Sequence, residues 1–290
     1  MQNQNVINYG EQKNLKTKKI FKKKILPHIL LILFGIMYFL PFLWLLSTSF
    51  KTPDQVFEYP PKWIPDPFAW GNYPKAMSTI PFFTYLKNTV ILAVIPIFGQ
   101  VLSSSLVAYS IAKIPWKGGK KLFGIILATM MLPHQVTMIP LYVTWAKLDM
   151  VNTFVPLLVP SFFGGAYNIF LLRQFFKTVP DSLLEAARID GASEGRIFFQ
   201  IMLPLSKPVL TTIALFTFMG GWNDFMTPLI YLNDSAKWPL SIGLQAFMIE
   251  FDTKWELLMA ASVLFTIPMI ITFFVGQKQF IEGIVTTGLK

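Results

Sequence analysis

Residues 185–204 read EAARIDGASEGRIFFQIMLP, a charged stretch that lies between two long apolar runs. The spacing inside this stretch is regular: a Glu-Ala-Ala triplet is followed after three residues by a glycine, and after nine more by Ile-x-Leu-Pro. A spacing rule of this length is hard to produce by accident, so the stretch is the first guide to fold and function. Its fixed positions are Glu185, Ala186, Ala187, Gly191, Ile201, Leu203 and Pro204.

The rest of the chain has the composition of a membrane protein. Hydrophobic residues make up 53% of it and charged residues 14%, against roughly 25% charged in soluble domains. The apolar residues form blocks long enough to cross a hydrocarbon core of about 30 Å as helices, and they do not alternate in polarity as barrel strands do. The sequence therefore predicts an all-α membrane protein with six transmembrane helices. The predicted spans are about 26–48, 84–112, 122–144, 152–175, 205–231 and 258–276.

The third block is the least regular of the six, because Pro133, His134, Gln135 and Pro140 interrupt it. Outside the spans the chain shows no obvious second domain. We expect residues 1–24 to be a basic tail and residues 25–290 to form a single transmembrane domain.

The distribution of basic residues predicts the orientation. With an even number of spans both termini lie on one side, and 18 of the 25 lysines and arginines fall on that side. Positively charged loops stay in the cytoplasm. Both termini and the 176–204 loop are therefore predicted to be cytoplasmic. This topology explains the net charge of +10, with the N-terminal lysines facing anionic lipid headgroups, so nucleic acid is not a predicted partner.

Local signals predict a helix–turn–helix inside the 176–204 loop. Pro180 ends the preceding span, and Ser182 with Glu185 has the spacing of a capping box, which predicts a helix from Leu183 to Ile189. Gly191 is suited to the left-handed turn that ends a helix, and Ser193 to the cap of the next one.

The loop resembles the cytoplasmic signature of the membrane subunits of bacterial ABC importers, with no departure at any fixed position. The resemblance implies a type I importer permease fold in which the first short helix is a coupling helix that sits in a groove of an ATPase subunit. It also implies that the motif glutamate pairs with a basic residue of the ATPase, that the alanines allow close approach, and that the glycine allows the sharp turn. The implied ATPase-docking residues are Glu185, Ala186, Ala187, Arg188, Asp190, Gly191, Ile201, Leu203 and Pro204.

The chain does not carry an energy source of its own. It lacks the Gly-x-x-x-x-Gly-Lys-Ser/Thr phosphate loop, and with two histidines and no cysteine it offers no metal or nucleophile constellation. We therefore expect a subunit that is not an enzyme and that binds no cofactor or metal, with ATP and Mg held by a partner ATPase dimer.

Two further stretches indicate the substrate class. Residues 131–142 and 220–229 resemble the third-span and fifth-span segments of carbohydrate permeases, and the likeness is nearest to the second permease of maltose-type importers. An ionisable residue within a span is costly, so Asp224 needs a partner or an aqueous cavity. The predicted substrate-pathway residues are Gln135, Tyr142, Trp222, Asn223 and Asp224. The alternative for Asn223 and Asp224 is hydrogen bonding between helices that only holds the spans together.

These observations together predict a carbohydrate importer that works by alternating access in the bacterial plasma membrane. The implied partners are a homologous second permease, the ATPase dimer and an external solute-binding protein that docks on the outer segments 49–83 and 232–257. The open alternatives are an ABC permease for a non-sugar solute, a membrane protein that docks an ATPase without conducting anything, and a secondary transporter. The last class usually has internal repeats and several intramembrane charges, and neither is evident here.

Overall fold

The computed structural model describes residues 25–248 and 253–288, with side chains as far as Lys278. The predicted basic tail 1–24 lies outside the described residues. Within the described ranges the regular secondary structure is entirely helical. The α-helices are α1 Leu26–Ser49, α2 Pro53–Val56, α3 Asn72–Thr79, α4 Phe82–Lys113, α5 Gly119–Thr129, α6 His134–Lys147, α7 Val155–Leu158, α8 Ala166–Thr178, α9 Asp181–Ile189, α10 Glu194–Ile197, α11 Leu203–Leu205, α12 Lys207–Asn223, α13 Met226–Tyr231, α14 Leu240–Gly243 and α15 Trp255–Gly288.

Four stretches of the described chain are helical, long and apolar enough to cross a membrane unbroken: α1, α4, the run Val155–Thr178, and α15. Two further stretches are pairs of helices with a sharp bend between them. The α5–α6 pair bends by 98°, and the pair Glu194–Leu205 with α12 bends by 77°. The predicted all-helical membrane architecture is confirmed, and the number of spans is six if each bent pair crosses once.

The third predicted span is broken between Thr129 and His134. Pro133 stands at the break in an extended conformation and begins α6, as expected of a residue that cannot donate a backbone hydrogen bond to a preceding turn. The sequence predicted an irregular span here, and in the structure the helices on either side of the break differ in direction by 98°.

The fifth predicted span, about 205–231, is not one continuous helix. It stops at Asn223 and resumes at Met226. Pro228 has no N–H to donate to the carbonyl of Asp224 four residues earlier. That carbonyl accepts a hydrogen bond from Ser241 Oγ at 2.7 Å instead, and Asp224 Oδ1 accepts one from the Thr227 N–H at 3.1 Å, which starts the new helix.

The described residues divide into two compact units, and the first comprises the chain up to Tyr73 with Trp255–Val263. Its α1 is apolar all round and exposed along most of its length, as expected of a helix that meets lipid or another membrane subunit. The segment after α1 is tied by Asn72, whose Nδ2 donates to the carbonyls of Ser49 and Lys51 at 3.0 and 2.8 Å. Around it, the Phe50 ring contacts the rings of Phe68, Trp70 and Tyr73.

The second unit comprises Pro74–Lys254 and the part of α15 from Leu264 onward. The 32-residue helix α4 lies at its centre and packs against α8 and α12. A buried apolar cluster joins the last turns of α4 to α8 and to the loop that follows. The members of this cluster, here called the loop core, are Ala108, Tyr109, Ile169, Leu172, Phe176, Val179, Leu184, Ile197, Phe198, Met202 and Ile213.

Candidate functional site

The 176–204 loop contains the predicted helix–turn–helix. Its first helix, α9, begins at Asp181, two residues before the predicted start, and ends at Ile189 as predicted. The predicted capping box is wrong: Pro180 occupies the cap position in an extended conformation, so Ser182 lies inside the first turn. The helix start is stabilised instead by the acidic side chain of Asp181, which suits the positive end of the helix dipole.

The turn after α9 has the predicted geometry. Gly191 has a φ of +79°, in the left-handed region where a side chain would be strained. Ser193 Oγ then accepts a hydrogen bond from the Arg196 N–H at 3.3 Å and caps α10. Both predictions made from these residue types are confirmed.

One face of α9 is buried and the opposite face is open. Leu184 is 1% exposed and Ala187 packs against the loop core. On the open side lie Ser182, Glu185, Ala186 and Ile189, here called the docking stripe. Their spacing of three and four residues places them in one line along the helix surface.

The docking stripe has the chemistry of a contact surface. It offers one carboxylate from Glu185, a small residue that permits close approach, and the Ile189 side chain, which is 86% exposed. Sequence reasoning did not select Ile189, although its place four residues after Glu185 was a signal that could have done so.

The N-terminal end of α9 is anchored to the end of α4. Lys113 Nζ donates to the carbonyl of Val179 and to Asp181 Oδ1, both at 2.6 Å. The lysine side chain is only 4% exposed. Its hydrogen bond and its charge hold the pKa of the Asp181 carboxyl below its ordinary value, so this carboxyl stays ionised at neutral pH.

The C-terminal end of α9 is anchored through Glu194. Arg188 Nε donates to Glu194 Oε1 at 2.7 Å, and the hydroxyl of Tyr109 in α4 donates to Glu194 Oε2 at 2.5 Å. Arg188, predicted as an ATPase contact, is therefore paired within its own chain. Sequence reasoning missed Glu194 and Tyr109; the only signal was the opposite charge of Arg188 and Glu194 on either side of the Gly191 turn.

The remaining predicted docking residues divide between surface and core. Asp190 and Pro204 are exposed, whereas Ile201 and Leu203 pack against the loop core. Their participation in docking stays a prediction.

Trp222, a predicted substrate-pathway residue, is 2% exposed. Its ring stacks on those of Phe218 and Phe265, with centroids 5.4 and 5.7 Å away. Its Nε1 donates to the carbonyl of Phe265 at 3.1 Å. In this conformation the residue packs α12 against α15 and presents no free face to a sugar.

Asn223 and Asp224 lie beside Trp222 at the break between α12 and α13. Asn223 is exposed, and its Nδ2 donates to the carbonyl of Met219 at 2.9 Å. Asp224 is half-buried and starts α13 through Thr227. In the structure the Asp224 carboxylate is therefore used in a hydrogen bond that starts α13, whereas the Asn223 side chain is exposed to the surroundings.

The two candidates from the third span lie on α6. Gln135 is exposed in its first turn. Tyr142, farther along, is half-buried and contacts the ring of Tyr231 at a centroid distance of 5.7 Å. The structure thus brings Tyr142 to the end of α13.

The fold is that of type I ABC importer permeases. The chain superposes on a subunit of a bacterial ABC transporter involved in the import of the acidic polysaccharide alginate, with a TM-score of 0.81 and 25% identity. The match covers 90% of this chain and 97% of that one.

The chain belongs to the family of binding-protein-dependent transport system inner membrane components, whose model matches residues 100–284. It is 31% identical over 266 residues to the diacetylchitobiose uptake system permease protein of Streptomyces coelicolor, covering 91% of this chain and 87% of that one. It is 34% identical to an arabinooligosaccharides transport system permease protein of Halalkalibacterium halodurans, covering 72% and 75%. It is 35% identical to the sn-glycerol-3-phosphate transport system permease protein of Pectobacterium atrosepticum, covering 80% and 85%.

Membership of this family defines the role of this chain within a transporter. Subunits of this family are not catalytic; ATP is hydrolysed by a separate ATPase, and a solute-binding protein delivers the solute. Among the residues that the structure describes, no group of three or more His, Cys, Asp or Glu side chains converges as a metal site would require.

Proposed function

We propose that this chain is a transmembrane permease subunit of an ATP-driven, binding-protein-dependent importer of carbohydrate. The observation that carries the proposal is the docking stripe, an open helix face at the position where the whole Glu-Ala-Ala signature of ABC permeases is present. Relatives named for diacetylchitobiose, arabinooligosaccharides and the polyol phosphate glycerol-3-phosphate support the substrate class.

The proposed setting is the bacterial cytoplasmic membrane, crossed six times by one permease domain over residues 25–290, with both termini in the cytoplasm. The lopsided distribution of basic residues supports this orientation. A homologous second permease completes the pathway, because one chain of six membrane-spanning helices is too small to enclose a sugar route. A cytoplasmic ATPase dimer binds ATP and Mg and supplies the energy of ATP hydrolysis.

The mechanism we propose is alternating access. When the ATPase domains close on ATP, the groove that holds α9 moves, and the docking stripe moves with it. The loop core then carries this displacement into the membrane helices, and the pathway opens to the outside. Glu185 acts as the charged contact, Ala186 permits close approach, and Gly191 holds the turn that ends α9. Ala187, predicted in the same role as Ala186, packs against the loop core and permits close packing there.

The substrate pathway is proposed to run past the two broken spans. Backbone irregularity at membrane depth is tolerated where it lines a cavity or is buried in protein. Asn223 and Asp224 stand at one break and Gln135 beside the other. Tyr142 and Trp222 complete the proposed set, with Trp222 contributing only if its stacked ring is released during the cycle.

The solute-binding protein is proposed to dock on the predicted outer segments 49–83 and 232–257. The first of these exposes several large aromatic side chains, among them Tyr59 at 91% and Trp70 at 68%. Aromatic residues are enriched at protein interfaces, which supports a docking role.

The test is uptake of a panel of labelled carbohydrates by cells that lack this chain, beside the same cells complemented with it. Loss of uptake of one sugar, restored on complementation and abolished when ATP is depleted, is the expected result. A defect confined to a non-sugar solute would keep the ABC permease and reject the carbohydrate. Uptake that follows an ion gradient and persists without ATP would reject the importer.

A further inference from the structure

The helix α4 is attached to the loop at both ends of the coupling helix. Tyr109 and Lys113 are four residues apart and so share one face of α4. Lys113 holds the start of α9 through Val179 and Asp181, and Tyr109 holds its end through Glu194 and Arg188. Two attachments at opposite ends of a nine-residue helix fix both its position and its direction.

The attachment at Glu194 requires two donors from different helices to be placed correctly around one carboxylate. Its carboxylate accepts from a buried tyrosine on one oxygen and from an arginine on the other. The Tyr109 ring is itself fixed by the loop core, where it contacts the rings of Phe176 and Phe198. Bonds of this charge-assisted kind are stronger and more directional than neutral ones.

The opposite end of α4 is attached to the predicted outer segment. Asn88 Nδ2 donates to the carbonyls of Ala236 and Trp238, each at 3.0 Å. Thr89 Oγ1 accepts from the Leu240 N–H at 2.8 Å. From Thr89 to Tyr109 the helix rises about 30 Å, the thickness of a hydrocarbon core.

We infer that α4 is the strut through which the coupling helix drives the outer segment, and that Glu194 is the positioning residue that locks the coupling helix to it. This inference rests on the proposed function. Motion of the docking stripe is passed through Arg188 to Glu194, from Glu194 to Tyr109, and along α4 to Asn88 and Thr89. The ATPase then moves the cytoplasmic loop and residues 236–240 as one rigid body.

The first experiment measures coupling in proteoliposomes that contain the complete importer, with ATP hydrolysis and sugar uptake recorded together. Tyr109→Phe removes only the hydroxyl that donates a hydrogen bond to Glu194, and Glu194→Gln keeps the shape but removes the charge. Each variant is expected to retain the ATPase and its hydrolysis while uptake per ATP falls about tenfold, the size expected when a bond to a charged group is lost. Tyr167→Phe, the same change at an exposed position of α8, is the matched control.

Uptake per ATP that is unchanged in Tyr109→Phe would overturn the inference. So would loss of the ATPase from that variant, because the pair would then hold the docking surface rather than transmit its motion. A wild-type importer without ATP-dependent uptake would instead reject the proposed function itself.

A second experiment tests rigidity directly. The chain has no native cysteine, so spin labels can be placed at Lys87→Cys, on an exposed side of α4, and at Gly195→Cys, where an added Cβ meets nothing within 4 Å. The distance between the two labels is expected to be the same in the nucleotide-free and ATP-bound importer, and to broaden when Tyr109→Phe is added. A label-to-label distance that changes on ATP binding in the otherwise wild-type importer would overturn the inference that α4 is a rigid strut.

Discussion

Gly221 in α12 lies directly against the backbone carbonyl of Leu92 in α4. A Cβ built on Gly221 would stand 2.9 Å from that oxygen and 3.0 Å from the Cα of Ala93. Pro96, four residues after Leu92, has no N–H to give to this carbonyl. The close approach of the two helices therefore depends on a glycine next to Trp222 and Asn223, and it fixes the position of the α12 break relative to α4.

Gly221→Ala is expected to destabilise the protein by about 1–3 kcal/mol, because the added methyl group meets backbone atoms that cannot rotate away. The measurement is thermal unfolding of the purified protein in detergent. Gly220→Ala is the matched control, since a Cβ there meets nothing within 4 Å. Equal stability of the two variants would contradict the packing described here.

The role of Asp224 can be assigned by two substitutions that distinguish the effect of its hydrogen bond to Thr227 from the effect of its charge. Asp224→Asn keeps an oxygen that can accept from the Thr227 N–H, whereas Asp224→Ala removes it. If the carboxylate serves the substrate pathway, both variants lose most uptake and both still assemble with the ATPase. The measurement is sugar uptake beside co-purification of the ATPase; normal uptake by Asp224→Asn would leave Asp224 with a structural role only.

Charge reversal on the docking stripe should uncouple the importer. Glu185→Lys places a positive charge where a basic residue of the ATPase is expected, and we expect uptake to fall by about tenfold or more. Uptake and ATP hydrolysis are measured together. Thr178→Lys introduces a lysine at an exposed position just before α9, and this variant is expected to transport normally. Normal sugar accumulation by Glu185→Lys would refute the coupling role.

Lys113→Met should loosen the coupling helix, since Val179 and Asp181 lose their shared donor. Amide hydrogen exchange over 181–189 is expected to rise several-fold, as local opening becomes easier. Lys117→Met, an exposed lysine in the next loop, should leave the exchange unchanged. Unaltered protection in Lys113→Met would show that the apolar contacts of Leu184 and the attachment at Glu194 are sufficient to hold α9.

The same ion pair has a predictable pH dependence. Lys113 lowers the pKa of Asp181, so the stabilisation is fully present above the ordinary carboxyl pKa of about 3.9 and is lost as the pH falls through the lower folded value. Protection of α9 in the wild type should therefore persist from neutral pH down to about pH 4 and decline below it. Protection, taken relative to the intrinsic exchange rate at each pH, that changes instead between pH 5 and 8 would identify a different titrating group.

Local signals were sufficient where neighbours in sequence decide the outcome. Gly191 predicted a left-handed turn, and Ser193 predicted the cap of α10, because each effect involves residues within three positions. Pro133 marked the predicted third span, about 122–144, as interrupted for the same reason, although the span was predicted to be single. The break at Asp224 was readable from Pro228, but the apolar run around it favoured a continuous span.

Residue type was a poor guide where packing decides. Trp222 has the flat ring that a sugar site uses, yet this ring stacks on Phe218 of its own helix and on Phe265 of α15, and the carbonyl of Phe265 accepts its hydrogen bond. Arg188 was expected to face the ATPase, but its Nε donates a hydrogen bond to Glu194 of the same chain. Phe265 became a partner of Trp222 only when α12 and α15 packed together, whereas the opposite charges of Arg188 and Glu194 were already present on either side of the Gly191 turn.

The sequence by itself determined the membrane-spanning helical architecture and the family, because apolar block length and the spacing of the 185–204 signature are linear properties of the chain. Only the tertiary structure decided which face of the coupling helix is open and what holds its two ends. Tyr109 and Glu194 are separated by 85 residues, and a hydrogen bond between groups so far apart exists only after α4 and the loop have packed around a common core.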